Sequence, residues 1–98
     1  MNATERNNIY QDALNTYGMK SQVFMVVEEC GELLNALAKY DRGRAQASDV
    51  ITELADVSIM VEQMAIAFGY GDYIEEKERK LQRLKQRIEK THKNAENG

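Results

Sequence analysis

Apolar residues recur every three or four positions along most of this sequence, rather than at every second position, and this spacing predicts α-helices. The chain has no proline and only six glycines, so few residues interrupt the pattern. Four helices are predicted, over about 4–17, 21–40, 48–68 and 72–91, followed by a polar tail at 92–98 that is expected to fray. The predicted fold class is therefore all-α, as a four-helix bundle.

Capping residues and glycines set the predicted helix ends. A side-chain oxygen just before a helix accepts a hydrogen bond from a free backbone N–H, and glycine after a helix takes backbone conformations that other residues avoid. The predicted N-caps are Thr4, Ser21, Ser48 or Asp49, and Asp72, which forms a D-x-x-E capping box with Glu75. The predicted stops are Gly18, Gly43, Gly69 and Gly71.

The second and third predicted helices each carry an apolar stripe and are expected to pack as an antiparallel hairpin. The stripes are Val23, Val26, Val27, Cys30, Leu33, Leu34 and Leu37 on the second helix, and Val50, Leu54, Val57, Val61, Met64 and Phe68 on the third. Glu29 borders the first stripe, whereas Glu53 projects along the second. A buried carboxylate without a partner is unfavourable, so Glu53 is expected to meet a metal ion, a cationic group or a proton.

Size and charge narrow the function classes. With 98 residues the chain is expected to form one domain, residues 1–98, and a domain this small gains stability by assembling into a dimer or tetramer. A net charge of −3 offers no general attraction to nucleic acid or anionic lipid, and no run of about 20 apolar residues could span a membrane. The sequence lacks a signal-peptide pattern and has a single cysteine, Cys30, so a cytoplasmic location is expected.

Two matched pairs of acidic residues are the strongest functional signal, Glu29-x-x-Glu32 and Glu53-x-x-Asp56. A spacing of three places both side chains of a pair on one helix face, so two adjacent helices can bring four carboxylates together. Such a cluster is tolerated when a cation neutralises it. Oxygen ligands without His or Cys suit Mg²⁺, or Mn²⁺ as a substitute, and suit zinc poorly.

The acidic pairs and their neighbours resemble a family motif. The segment EECGE, which begins at Glu28, and the segment ELAD, which begins at Glu53, resemble the E-E-x-x-E and E-x-x-D elements of the MazG-like all-α nucleoside triphosphate pyrophosphohydrolases. That superfamily also includes dimeric dUTPases and phosphoribosyl-ATP pyrophosphatase. The resemblance spans about residues 19–88. It implies an oligomeric helical bundle that uses Mg²⁺ to hydrolyse a nucleoside triphosphate between the α and β phosphates, giving a nucleoside monophosphate and pyrophosphate.

The resemblance also implies roles for the acidic residues. The metal ligands would be Glu29, Glu32, Glu53 and Asp56. A base would take the proton from the attacking water, and both Glu28 and Glu32 are candidates. The sequence does not choose between these two.

Substrate contacts follow from the same resemblance. Lys80 and Arg83, in the run RKLQR, resemble part of the family's N-x-K-F-x-x-R segment and would contact phosphate oxygens, although Glu78 stands where the family often has Asn. The same cations also fit a solvated basic helix face. Gln22 lies where related proteins place contacts to the nucleobase.

Of two other classes of function, a non-catalytic module fits the pattern and a di-iron bundle fits it poorly. A non-catalytic helical module that binds nucleotide and metal, or that serves protein interaction, would keep the acidic cluster but show no turnover. A di-iron carboxylate bundle needs Glu-x-x-His pairs, and the only histidine, His92, lies outside any such motif.

Overall fold

The protein is built from four α-helices in the computed structural model, which describes residues 1–97. The helices are α1 (Ala3–Tyr17), α2 (Met19–Asp41), α3 (Ala47–Phe68) and α4 (Tyr70–Asn97). No strand occurs among the described residues. The prediction of an all-α chain with four helices is therefore confirmed. The tail predicted to fray at 92–98 is helical as far as Asn97, and residue 98 lies outside the described part of the chain.

Helices α1 and α2 begin earlier than predicted. The side-chain oxygen of Asn2 accepts a hydrogen bond from the N–H of Glu5 at 2.8 Å, so Asn2 is the N-cap of α1 and the prediction of Thr4 is wrong. Helix α2 begins directly after Gly18, whose φ of 86° turns the chain from one helix into the next without a side-chain cap. Ser21 therefore lies inside α2 and does not cap it.

The predicted caps of α3 and α4 also lie inside their helices. Helix α3 begins at Ala47, so Ser48 and Asp49 belong to its first turn. The Asp49 carboxylate reaches back and accepts a hydrogen bond from the N–H of Gln46 at 2.8 Å, which satisfies a backbone donor that has no partner within the helix. Asp72 lies in the first turn of α4, where its charge is favourable near the positive end of the helix dipole.

The C-terminus of α2 ends in a tight hydrogen-bonded turn at Gly43, as predicted. Gly43 has a φ of 71°, and its N–H donates to the carbonyl of Tyr40 at 3.0 Å. The N–H of Arg44 donates to the carbonyl of Lys39 at 2.8 Å. These two bonds define a Schellman motif, which holds the backbone of Arg44 against the last turn of α2.

Contacts divide the chain into two compact units. The first, Met1–Phe68, contains α1, α2 and α3, and the second contains α4. In the first unit α2 and α3 form the most extensive contact, and α1 packs on both. Gln22 near the start of α2 meets Gln63 near the end of α3, whereas Glu29 approaches Asp56, so α2 and α3 run antiparallel. That the whole chain forms a single pyrophosphohydrolase domain stays a prediction.

The core of the first unit is small and partly polar. Its buried hydrophobic residues are Tyr10, Ala36, Met60 and Ala65, and no described side chain is completely buried. The amide of Gln63 donates to the amide oxygen of Gln22 at 2.5 Å, and both residues are buried. The hydroxyl of Tyr10 donates to the carboxylate of Glu62. Hydrogen bonds between side chains therefore join α1 and α2 to α3 across this core.

Much of the apolar stripe of α2 remains exposed. Val27 is 66% exposed and Leu34 is 68% exposed, whereas Val26 and Leu33, one position earlier in each case, are half-buried. The stripe was expected to form core over its full width. It is wider than the face that α1 and α3 cover, so the first unit presents apolar side chains at its surface.

Candidate metal centre and adjoining groove

Three of the four predicted ligands meet on the antiparallel pair of helices. Helix α2 carries Glu29, and α3 carries Glu53 and Asp56 one turn apart on the same face. One carboxylate oxygen from each of these three residues lies within 4.8 Å of the other two. Residues 24 or more positions apart in sequence are brought together by the pairing of the two helices, as the acidic pairs predict.

The cluster contains carboxylate oxygens that the protein does not satisfy. All three residues are half-buried. Oε2 of Glu29 and Oε2 of Glu53 are buried atoms without a hydrogen-bond partner among the described residues. Buried acceptors of this kind are unfavourable unless a donor or cation reaches them. Three converging carboxylates, two of them with an unsatisfied buried oxygen, fit a hard divalent cation such as Mg²⁺ or Mn²⁺.

The electrostatics of the cluster favour a positive charge. Burial raises the pKa of Glu29 above its ordinary value, and the charges of Glu32 and Asp56 raise it further. Burial, followed by the same two charges, likewise raises the pKa of Glu53. Both carboxyls are therefore harder to ionise in the folded protein than in water, and a bound cation would reverse this effect by stabilising the ionised form.

The remaining two acids of the EECGE segment lie in different places. Glu32 lies beside the cluster, close enough for its charge to act on Glu29 and Glu53, and it also lines the neighbouring groove. Glu28 is exposed and does not belong to the group of converging ligand atoms. The structure thus separates the two acids that the sequence left as alternatives for a base.

A groove of about 400 Å³ adjoins the carboxylates, between the C-terminal half of α2 and the N-terminal half of α3. Glu32 and Glu53 form part of its lining next to the cluster, and Lys39 and Arg44 contribute two cations. The site residues predicted from the sequence do not include these two cations. Spacing along the helix could have indicated Lys39, because this residue lies seven positions after Glu32 and therefore two turns further along the same helix face. Arg44 depends on the turn at Gly43, and no sequence motif indicated its position.

The predicted substrate contacts are distributed over both units. Gln22 is buried, and its amide oxygen accepts the hydrogen bond from Gln63, so contact with a nucleobase would require this pair to open. Lys80 and Arg83 are exposed on α4, and Nζ of Lys80 lies 3.8 Å from a carboxylate oxygen of Glu76. The substrate-binding roles of these residues stay predictions.

Comparisons with known proteins do not identify a family. No protein-family model matches the chain, and neither a curated protein nor a solved structure matches it. The helices of the described chain include none with the length and apolar character that crossing a membrane requires.

Proposed function

We propose that this chain is a Mg²⁺-dependent nucleoside triphosphate pyrophosphohydrolase, which cleaves between the α and β phosphates to give a nucleoside monophosphate and pyrophosphate. The observation that carries the proposal is the meeting of three carboxylates, from two matched acidic pairs, within 4.8 Å of one another. Their unsatisfied oxygens and the adjoining groove supply a place for a metal and a phosphate chain. The resemblance of EECGE and ELAD to the MazG-like motif supports the same conclusion.

Glu29, Glu53 and Asp56 would hold the metal, with Glu32 at the edge of the site. Bound Mg²⁺, or Mn²⁺ in its place, would neutralise the charge of the phosphate oxygens and of the departing pyrophosphate. Without a cation, the same carboxylates would repel a triphosphate. The acidic cluster therefore makes the activity strictly dependent on a divalent cation.

The proposal assigns the base to Glu32 in preference to Glu28. Both residues are exposed, but Glu32 lines the groove beside the cluster and Glu28 does not. Water would attack the α-phosphorus, the bond from this phosphorus to the bridging oxygen would break, and its electron pair would leave with pyrophosphate. The carboxylate of Glu32 would accept the proton from the water.

Self-association into a dimer or tetramer is part of the proposal. Exposed apolar side chains on α2, such as Val27 and Leu34, support it because a second copy would remove them from water.

Product analysis tests the proposed function. The purified chain is incubated with a panel of ribonucleoside and deoxynucleoside triphosphates, with Mg²⁺ or with EDTA, and the products are separated by chromatography. We expect at least one triphosphate to yield the monophosphate and pyrophosphate, with no reaction in EDTA. Release of orthophosphate and a nucleoside diphosphate would show cleavage at the γ-phosphate and refute the proposal. Binding of nucleotide and metal without any turnover would instead identify a non-catalytic module.

A further inference from the structure

The two cations that line the groove, Lys39 and Arg44, lie outside the group of converging carboxylates. We propose that Lys39 and Arg44 bind the β and γ phosphates of the substrate and hold the pyrophosphate group as it leaves, an inference that rests on the proposed function. The ligand chemistry is that of an inorganic diphosphate or the end of a triphosphate. In this proposal the carboxylates at one end of the groove bind the metal, and the cations at the other end bind phosphate.

The backbone of α2 fixes the positions of both cations. The bond from the N–H of Arg44 to the carbonyl of Lys39, 2.8 Å long, ties the residue after the turn to the last turn of the helix. Gly43, with a φ of 71°, permits this turn. Because the turn is closed by two backbone hydrogen bonds, the bases of the two side chains are held together on one wall of the groove.

Both cations remain available for a ligand. The ion pairs among the described residues lie on α4 and involve neither Lys39 nor Arg44. Asp49 is the groove-lining acidic residue nearest in sequence to Arg44, and its carboxylate accepts a hydrogen bond from the N–H of Gln46. Two cationic side chains without an ion-pair partner form a site for oxyanions. Their hydrogen bonds to an oxyanion are charge-assisted and are therefore stronger than hydrogen bonds between neutral groups.

The neutral polar residues of the groove cannot replace these cations. The hydroxyl of Thr52 donates its hydrogen to the carbonyl of Ser48 at 3.0 Å, so it has no proton left for a phosphate oxygen. Asn35 offers an uncharged amide donor. The groove volume of about 400 Å³ falls within the range of about 300–1,000 Å³ that is typical of small-molecule sites. Binding of a multiply charged phosphate chain therefore depends on Lys39 and Arg44.

The test measures binding of inorganic pyrophosphate and of inorganic tripolyphosphate, in the presence of Mg²⁺, by isothermal titration calorimetry. Lys39→Gln and Arg44→Gln are each expected to weaken binding by about 10- to 100-fold, the loss associated with hydrogen bonds between charged groups. Arg42→Gln is the matched control, because it removes the same charge from the same turn at a residue that does not line the groove. This control is expected to stay within about twofold of the parent, because Arg42 does not line the groove and solvent screens its charge from a ligand bound there. Mn²⁺ binding without phosphate should be equal in all four proteins, which separates loss of phosphate binding from loss of metal binding.

Each outcome distinguishes this inference from the proposed function. If the parent converts a triphosphate to the monophosphate and pyrophosphate, but the Lys39 and Arg44 variants match Arg42→Gln in kcat/KM and pyrophosphate affinity, the groove assignment is overturned and the activity stands. If no triphosphate is turned over, the proposed function fails. The calorimetry still shows whether Lys39 and Arg44 bind phosphate in the groove. Selective loss of pyrophosphate binding in the two variants then supports the oxyanion site, whereas absent or equal binding in all four proteins overturns it.

Discussion

Replacing Glu53 by Gln keeps the shape of the side chain and removes one negative charge from the carboxylate cluster. Burial and the charges of Glu32 and Asp56 raise the pKa of Glu53 above its ordinary value of 4.5. A carboxyl with a raised pKa contributes stability that is fully present below the ordinary pKa and is lost as the pH rises through the folded-state value. Without metal, Glu53→Gln should therefore match the parent near pH 4 and should be as stable or more stable at pH 7.

Mg²⁺ should reverse this order of stability. A ligand at about 100 times its dissociation constant stabilises the folded state by about 2.7 kcal/mol. For a domain of roughly 60–100 residues, at about 4–8 °C per kcal/mol, that raises the Tm by about 10–20 °C. Loss of an outer-sphere partner alone weakens metal binding by about 10- to 100-fold, so we expect a loss of about 100-fold for a direct ligand. The variant would then gain about 0.4 kcal/mol, or about 2–3 °C, at the same Mg²⁺ concentration.

Thermal melts of the parent and the variant, with EDTA and with Mg²⁺ at pH 4 and pH 7, measure both effects. Glu28→Gln is the matched control, since it removes an exposed carboxylate of the same helix outside the converging group. It should retain the full Mg²⁺ shift of the parent. An equal Mg²⁺ shift in Glu53→Gln, or a variant that melts well below the parent in EDTA at pH 7, would show that Glu53 is a structural residue and not a metal ligand.

Three further predictions concern the core and the surface. Tyr10→Phe removes a hydrogen bond to the Glu62 carboxylate and should cost about 1.5–3 kcal/mol in urea unfolding. Burial and this bond raise the pKa of Tyr10 to about 12. The parent should therefore lose this stabilisation between pH 10 and 12, as the tyrosine ionises. The variant has no hydroxyl to ionise, so its stability should fall less over the same pH range. Gln63→Leu leaves the amide of Gln22 buried without its partner and should cost about 1–3 kcal/mol, while replacement of both by Leu should cost less than the single change; a larger loss in the double variant would contradict this. Leu34→Lys, at a residue 68% exposed, should convert an oligomeric parent to single chains in light scattering without lowering the stability of the chain itself, and an unchanged molar mass would place the interface elsewhere.

The helices and the shared helix face within each acidic pair could be predicted from the sequence because both follow from local spacing. Apolar residues at helical intervals predict the four helices, and acids three positions apart share a helix face wherever the helix begins. The capping residues at the helix ends were harder to predict. Helix α1 is capped by Asn2, a preferred capping residue that lies two positions before the predicted Thr4. Helix α3 begins at Ala47, before its predicted caps, because the side chain of Asp49 satisfies a free backbone N–H from inside the helix.

Partners that are distant in sequence could not be predicted in the same way. Gln22 pairs with Gln63, 41 positions away, and this pairing depends on how α2 and α3 are aligned along their lengths. Exposure of Leu34 depends on how much of α2 is covered by its neighbours, and periodicity alone does not give that width. The position of Arg44 in the groove depends on the backbone conformation of one residue, Gly43.

Gly43 also limits how this loop can be redesigned. Its φ of 71° lies in the left-handed region, yet a Cβ added there would meet no atom within 4 Å. A side chain at this position would therefore be disfavoured by about 1–2 kcal/mol through backbone conformation alone, and not by collision. Asn, which tolerates this conformation better than other residues, is the substitute of choice. New chain termini placed in this loop by circular permutation would cut the link that holds Arg44 to Lys39, so the position is a poor one for permutation although it is exposed.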